Sequence, residues 1–206
     1  YTTFAFDKKD DEDAKYQYKR VLGFYYMILM ITCIFVTMWG KEIIDLMSNS
    51  AYGAAYLLLP GLLFGQVMYG VSVIVGYGLS FEKKTNYIFA ANVIGAVLNI
   101  VLNFAFIPNF GVEAAAYTTY VGYFVMAILL YVFAQKFYPC DYAISKVIIS
   151  NVIIIALATF MNHYEMALGI RALLTAASLA LIFILYRDAI KDIFMILVRV
   201  KRKIRG

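Results

Sequence analysis

Long apolar stretches without a charged residue alternate with short polar links along this chain of 206 residues. The first five stretches are 21–39, 46–81, 85–112, 114–135 and 147–164. A sixth, 172–186, reaches the length of about 20 residues that a helix needs to cross the hydrocarbon only if it extends back past Arg171. The pattern predicts six transmembrane helices, at about 21–39, 52–79, 86–107, 113–135, 145–162 and 167–186.

The ends and links of these predicted helices hold most of the polar residues. Residues 1–20, with "DKKDDEDAKYQYKR", predict a charged cytoplasmic lead-in, and 187–206 predict a basic amphipathic helix that lies on anionic lipid of the inner leaflet. Pro60 predicts a kink one or two turns into the second helix, because proline removes a backbone donor. "IPNFG" at 107–111 predicts a tight turn in which proline and glycine stop the third helix.

Composition supports the same fold class. The hydrophobic fraction is 64% and the charged fraction 15%, against roughly 45–50% and 25% in soluble domains. A soluble core of this size cannot bury so much apolar surface. We therefore predict an all-α integral membrane protein with a six-helix transmembrane bundle.

The basic residues predict the orientation of that bundle. Sixteen of the 18 Lys and Arg residues fall on the side that both termini share, and only Lys41 and Arg171 fall on the other. The positive-inside rule then places both termini in the cytoplasm. The net charge of +5 is explained by this topology, so we expect no nucleic-acid partner.

Residues typical of catalytic and metal sites are sparse. The sequence has no phosphate-binding glycine loop and no His/Cys spacing for a metal, and the acidic residues of the outer side are scattered over three loops. Cys33 and Cys140 suggest neither a disulfide framework nor a metal site. We expect no enzyme activity, no cofactor and no metal. Because the chain begins with Tyr1 and not Met, it is expected to be the C-terminal part of a longer protein.

Amide side chains recur at helical spacing in the third predicted helix. Asn92, Asn99 and Asn103 share one face with Gly95 and Ala96. An amide that faced lipid would lose its hydrogen bonds, so this face must meet protein or a wet cavity. Two interpretations stay open at this point: hydrogen bonding between helices, or the lining of a transport cavity.

Further polar and small residues mark the neighbouring helices. Gly61, Gly65, Ser72 and Gly76 align on the second helix and Ala115, Thr118, Thr119 and Gly122 on the fourth, which favours close helix packing. Arg171, with Thr175 and Ser178, is either a functional cation or a side chain that reaches the outer headgroups. Glu113 is expected to cap the fourth helix through its dipole.

The stretch "LNFAFIPNFGVEAAAYTTYVGY" and the preceding "GYGLSFEKKTNYIFAANVIGAVLN" resemble the C-terminal region of polysaccharide-biosynthesis flippases. These belong to the multidrug/oligosaccharidyl-lipid/polysaccharide exporter superfamily. An asparagine-bearing helix end, Ile-Pro, two residues, Gly and an alanine-rich restart match its pattern. Glu113 and Ala114 depart from it, since Ile and Gly are usual there. The resemblance is strongest over 21–137.

The resemblance implies one lobe of a two-lobed transporter with about 12–14 spans in the bacterial cytoplasmic membrane. Such proteins move undecaprenyl-pyrophosphate-linked oligosaccharide by alternating access, as O-antigen flippases do. The implied partners are a missing N-terminal lobe and the polyprenyl-linked substrate. Asn92, Asn99, Asn103 and Arg171 would then be the substrate-binding candidates that line the cavity. A multidrug or small-solute exporter of the same superfamily and a structural membrane subunit that transports nothing are the alternatives.

Overall fold

A computed structural model describes residues 12–47, 58–163 and 167–191 of the chain. Within these ranges it forms six α-helices and no strand: α1 Glu12–Met47, α2 Leu59–Phe81, α3 Thr85–Phe110, α4 Val112–Phe137, α5 Ile144–His163 and α6 Leu168–Leu185. Five of them, all except α5, are long and apolar enough to cross a membrane. Helix α5 has a shorter apolar stretch, Ile144–Phe160. The whole helix has 20 residues and extends about 30 Å. The predicted all-α membrane bundle is confirmed.

The helices are arranged around α1 and α2. Helix α2 packs against α1 on one side and α4 on the other, α3 packs mainly on α4, and α5 and α6 pack mainly on α1. The best-buried side chains lie where α1 meets α2 and its other neighbours, and include Tyr26, Met30, Ile34, Val67 and Val75. Helix α3 lies at the edge, and only its Ala91 and Gly95 are buried.

Ion pairs show that the helices alternate in direction. Lys19 in the first turns of α1 pairs with Asp141 after α4, and Lys146 in α5 pairs with Asp188 after α6 at 3.2 Å. At the opposite end Glu42 of α1 pairs with Arg171 of α6. One end of the bundle therefore holds the loops rich in lysine, and the other holds Glu42 and Arg171. We call them the lysine end and the far end.

The first two helices differ from the predicted spans. Helix α1 runs without a break through the charged segment from Glu12 and on to Met47, beyond the predicted 21–39, because nothing in 12–20 stops a helix. Helix α2 begins at Leu59, so Pro60 lies in its first turn, where its missing N–H leaves no intrahelical bond unmade. Pro60 therefore does not lie one or two turns into the described helix, and the predicted start near 52 lies outside the described residues.

The turn between α3 and α4 is shorter than "IPNFG" predicts. Helix α3 continues through Pro108 to Phe110, and the only residue between the two helices is Gly111, whose φ is +71°. Residues that carry a side chain rarely adopt this backbone conformation, so glycine and not proline ends the helix here. At the C-terminal end residues 187–191 are helical. The rest of the predicted amphipathic tail, and residues 1–11 of the lead-in, lie outside the described residues.

Candidate functional site

Helices α3 and α4 approach each other closely at a pair of glycines. A Cβ atom placed on Gly95 would lie 3.0 Å from the carbonyl oxygen of Gly122, and one on Gly122 would lie 3.0 Å from that of Gly95. Helices α2 and α4 meet in the same way, since a Cβ on Gly61 would lie 2.9 Å from that of Ala116. These small residues therefore bring the backbones together, as their alignment predicts.

An amide–hydroxyl network joins α3 and α4 beside the glycine pair. The Nδ2 of Asn103 donates to Oδ1 of Asn99 at 3.2 Å, and Nδ2 of Asn99 donates to Oγ1 of Thr119 at 3.3 Å. The hydroxyl of Thr118 donates to Oδ1 of Asn103, and Thr119 donates to the carbonyl oxygen of Ala115 at 2.8 Å. Both asparagines therefore find partners within the chain, which favours hydrogen bonding between helices as their role.

Asn92 has a different environment, two turns nearer the lysine end. Its side chain is exposed and donates one hydrogen bond, of 2.7 Å, to the carbonyl oxygen of Ile88 in its own helix. It borders a groove of 250 Å³ between α2 and α3, which we call the α2–α3 groove. The other residues that line it are Tyr69, Ser72, Val73, Gly76, Tyr77, Ser80, Ile88 and Leu130.

The α2–α3 groove combines an amide, two hydroxyls and two tyrosine rings. Ser72 and Ser80 bond back to the carbonyl oxygens of Tyr69 and Gly76 in their own helix, whereas Asn92 keeps a carbonyl oxygen and a second N–H for a ligand. Sequence reasoning found Asn92 but missed Tyr69 and Tyr77. Their spacing of eight residues places the two rings on one helical face, which could have indicated a shared site. The chain has 18 tyrosines, however, so this one pair does not stand out in the sequence.

Arg171 lies away from both features, at the far end. Its guanidinium pairs with the carboxylate of Glu42 and lies over the ring of Trp39 at 4.5 Å, and its side chain is 13% exposed. Neither predicted interpretation describes this arrangement. The arginine is held against α1 by an opposite charge and an aromatic face, so it neither reaches outward alone nor offers an uncompensated charge to a substrate.

Glu113 lies in the first turn of α4, as predicted, where its charge meets the helix dipole favourably. Its side chain makes no capping hydrogen bond, and the N-cap position is Gly111. The carboxylate borders an apolar groove of 560 Å³ at the far end of α3 and α4, beside Phe106, Phe110 and Tyr117. Its contribution is therefore electrostatic.

Six apolar helices, a close-packed α3–α4 pair and a polar groove within the spans define a multi-pass α-helical membrane protein. The MatE family model matches residues 2–105, half of the chain. The chain belongs to the MatE family. This confirms the resemblance to exporter-superfamily flippases that its sequence shows.

Two curated relatives extend the comparison. The chain is 25% identical to the probable low-salt glycan biosynthesis flippase Agl15 of Haloferax volcanii, over 72% of the chain and 32% of that protein. It is 30% identical to an uncharacterized membrane protein of Methanocaldococcus jannaschii, over 58% of the chain and 25% of that protein. The matched part thus spans about a third or less of these relatives. No solved structure matches the chain.

Proposed function

We propose that this chain forms one lobe of a flippase that carries a polyprenyl-linked oligosaccharide across the cytoplasmic membrane by alternating access. Membership of the MatE family supports a transport role, and the glycan flippase among its relatives supports the substrate class. Undecaprenyl pyrophosphate, implied by the sequence resemblance, is the carrier that we propose. A second lobe of the same protein completes the pathway.

The α2–α3 groove is the observation that carries this proposal. Oligosaccharides present hydroxyl groups that exchange hydrogen bonds with amides, and C–H faces that lie on aromatic rings. Asn92 supplies the amide, and Tyr69 and Tyr77 supply the rings. The exposed Asn92 amide does not suit contact with lipid tails, because unpaired amide groups are costly in hydrocarbon. We therefore propose that it faces the aqueous cavity between the two lobes.

The position of the groove fits the start of the transport cycle. Ser80 and Ile88 flank the short turn that holds Lys83 and Lys84, so the groove lies in the half of the bundle nearer the lysine end. With that end in the cytoplasm, an oligosaccharide built on the inner leaflet meets this half first. Arg171 is engaged by Glu42, so we propose that the cations facing the pyrophosphate come from the other lobe.

The test is a pair of matched substitutions on α3. Asn92→Leu removes the amide from the groove, whereas Asn109→Leu removes an amide that bonds back to its own helix in the same way, to the carbonyl oxygen of Ala105, but lies outside the groove. Surface glycan is measured in a strain that depends on the intact gene. We expect Asn92→Leu to lower export about tenfold or more, as loss of a substrate hydrogen bond does, and Asn109→Leu to leave it unchanged.

Tyr69→Ala removes one of the two tyrosine rings from the same groove and is a second, independent test. Immunoblotting of membrane fractions verifies that each variant inserts at the level of the unmodified protein. Normal glycan export by Asn92→Leu together with Tyr69→Ala would rule out the groove as a substrate contact. Loss of resistance to small toxic solutes, with glycan unaffected, would favour the multidrug exporter instead.

A further inference from the structure

We propose that a pocket at the lysine end of the bundle binds the phosphate group of an anionic phospholipid. The pocket, which we call the basic pocket, encloses 110 Å³ between α1, α5 and the segment that follows α6. Its walls include three cations, one carboxylate and four tyrosines: Lys19, Arg20, Lys146, Asp188, Tyr16, Tyr26, Tyr142 and Tyr186. The space equals about three to four water molecules, which suits one phosphate group.

The basic pocket lies at the level where hydrocarbon gives way to headgroups. The uncharged stretch of α1 begins directly after Arg20, that of α5 begins directly after Lys146, and that of α6 ends at Tyr186. All three boundaries meet at this pocket. A phospholipid places its phosphate at the same depth, and pockets of basic residues between transmembrane helices bind such headgroups.

The charges in the pocket favour an anion. Lys19 pairs with Asp141, whose side chain is 77% exposed, and Lys146 pairs with Asp188, whose side chain is 68% exposed. The hydrogen bond from each lysine lowers the pKa of the aspartate carboxyl that it contacts, so Asp141 and Asp188 are both ionised at neutral pH. Exposed ion pairs of this kind contribute little to stability. A phosphate with several acceptor oxygens can therefore take the lysine N–H groups from the two carboxylates.

The remaining walls suit a lipid better than an inorganic ion. Leu22 and Val147 are apolar and border the same space, so the glycerol end of a phospholipid has apolar contacts next to the cations. The ring of Tyr186 lies 5.9 Å from Nζ of Lys146 and helps to hold the lysine in place. The site does not depend on the groove or on the transport cycle proposed above.

Two kinds of variant test the site, in the purified full-length protein. Lys19→Gln with Lys146→Gln removes two of the cations. Gly23→Leu fills the pocket without touching a charge, because Gly23 borders it and a Cβ there meets no atom within 4 Å. Native mass spectrometry measures the Kd for phosphatidylglycerol, with phosphatidylcholine and inorganic phosphate as the other probes. We expect the double variant to bind phosphatidylglycerol about thirtyfold more weakly, and Gly23→Leu to lose binding.

Matched controls lie elsewhere in the bundle. Lys84→Gln with Lys136→Gln removes two cations that lie over the ring of Phe137 at the same end, outside the pocket. Gly169→Leu adds a side chain at another open glycine. Both should bind like the unmodified protein. Unchanged phosphatidylglycerol affinity in both pocket variants would overturn the proposal, as would inorganic phosphate that binds equally well and displaces the lipid.

Discussion

Polar side chains within the described spans bond either to their own helix or to a neighbouring helix. Asn99 and Asn103 complete a network with Thr118 and Thr119, and Arg171 pairs with Glu42. Helical periodicity could place the asparagines on one face, because that needs only the spacing within one helix. It could not find their partners or separate Asn92 from the other two, because partners depend on which helix lies alongside. Arg171 and Glu42 are 129 residues apart, beyond the reach of any local pattern.

The Arg171–Glu42 pair leads to a prediction for single residues. Glu42→Gln leaves the guanidinium, 13% exposed, without its counter-charge, and we expect the free energy of unfolding to fall by about 1–3 kcal/mol. Removing both charges, by Arg171→Met with Glu42→Gln, should cost less than Glu42→Gln alone, since no uncompensated charge stays behind. Thermal unfolding of the detergent-purified variants measures both changes.

Asp45→Gln is the control for this pair, because it removes an exposed acid from the same end of α1 and should change stability little. If the double variant lost at least as much stability as Glu42→Gln alone, the arginine would matter through contacts other than Glu42, such as the ring of Trp39.

Helix positions follow from apolar length, whereas helix ends depend on single residues. Six helices lie where uncharged stretches predict them, because burying backbone in hydrocarbon requires helix. Two of the three prolines show how far a helix end depends on the position of a single residue. Pro60 lies in the first turn of α2, where its missing N–H has no intrahelical partner to lose, whereas Pro108 lies inside α3 and the helix continues through it to Phe110. Gly111, with its positive φ, sets the break between α3 and α4.

The close contact of α3 and α4 predicts a cost for a larger side chain. Gly122→Val would place its Cβ 3.0 Å from the carbonyl oxygen of Gly95 and 3.1 Å from Cβ of Asn99. The helices must then separate, which also stretches the hydrogen bond from Asn99 to Thr119. We expect a loss of about 1–3 kcal/mol in unfolding free energy, as overpacking typically costs, with a lower melting temperature in detergent.

Gly169→Val is the matched control on α6, where a Cβ meets nothing within 4 Å. It should leave the melting temperature nearly unchanged. A Gly122→Val protein as stable as the unmodified one would mean that α3, which has only two buried residues, moves away from α4 without loss.

At the scale of the whole molecule, the two ends of the bundle differ in their charged residues. The lysine end holds Lys19, Lys83, Lys84, Lys136 and Lys146, and the far end holds the pair of Glu42 and Arg171. The structure shows that the helices alternate, so the side of one turn determines the side of every other. The positive-inside rule predicts that the lysine end faces the cytoplasm.

Cysteine labelling tests this orientation. Thr85 and Val112 are the first residues of α3 and α4, both are exposed, and they lie at opposite ends of the 26-residue helix α3. We expect a membrane-impermeable maleimide to label Val112→Cys in intact cells and Thr85→Cys only after permeabilisation. The native thiols add little background, because Cys33 and Cys140 are buried and burial raises the pKa of Cys140 to about 11, which keeps it protonated at neutral pH.

The labelling pattern bears on both proposals at once. If Thr85→Cys reacts in intact cells and Val112→Cys does not, the lysine end lies outside, and the α2–α3 groove and the basic pocket both face the outer leaflet. A substrate made in the cytoplasm could not then enter through the groove. If both cysteines react in intact cells, α3 does not cross the membrane, although its length of about 39 Å exceeds the hydrocarbon thickness of about 30 Å. The expected pattern instead places the groove, the basic pocket and the described lysines of the lysine end nearer the cytoplasm.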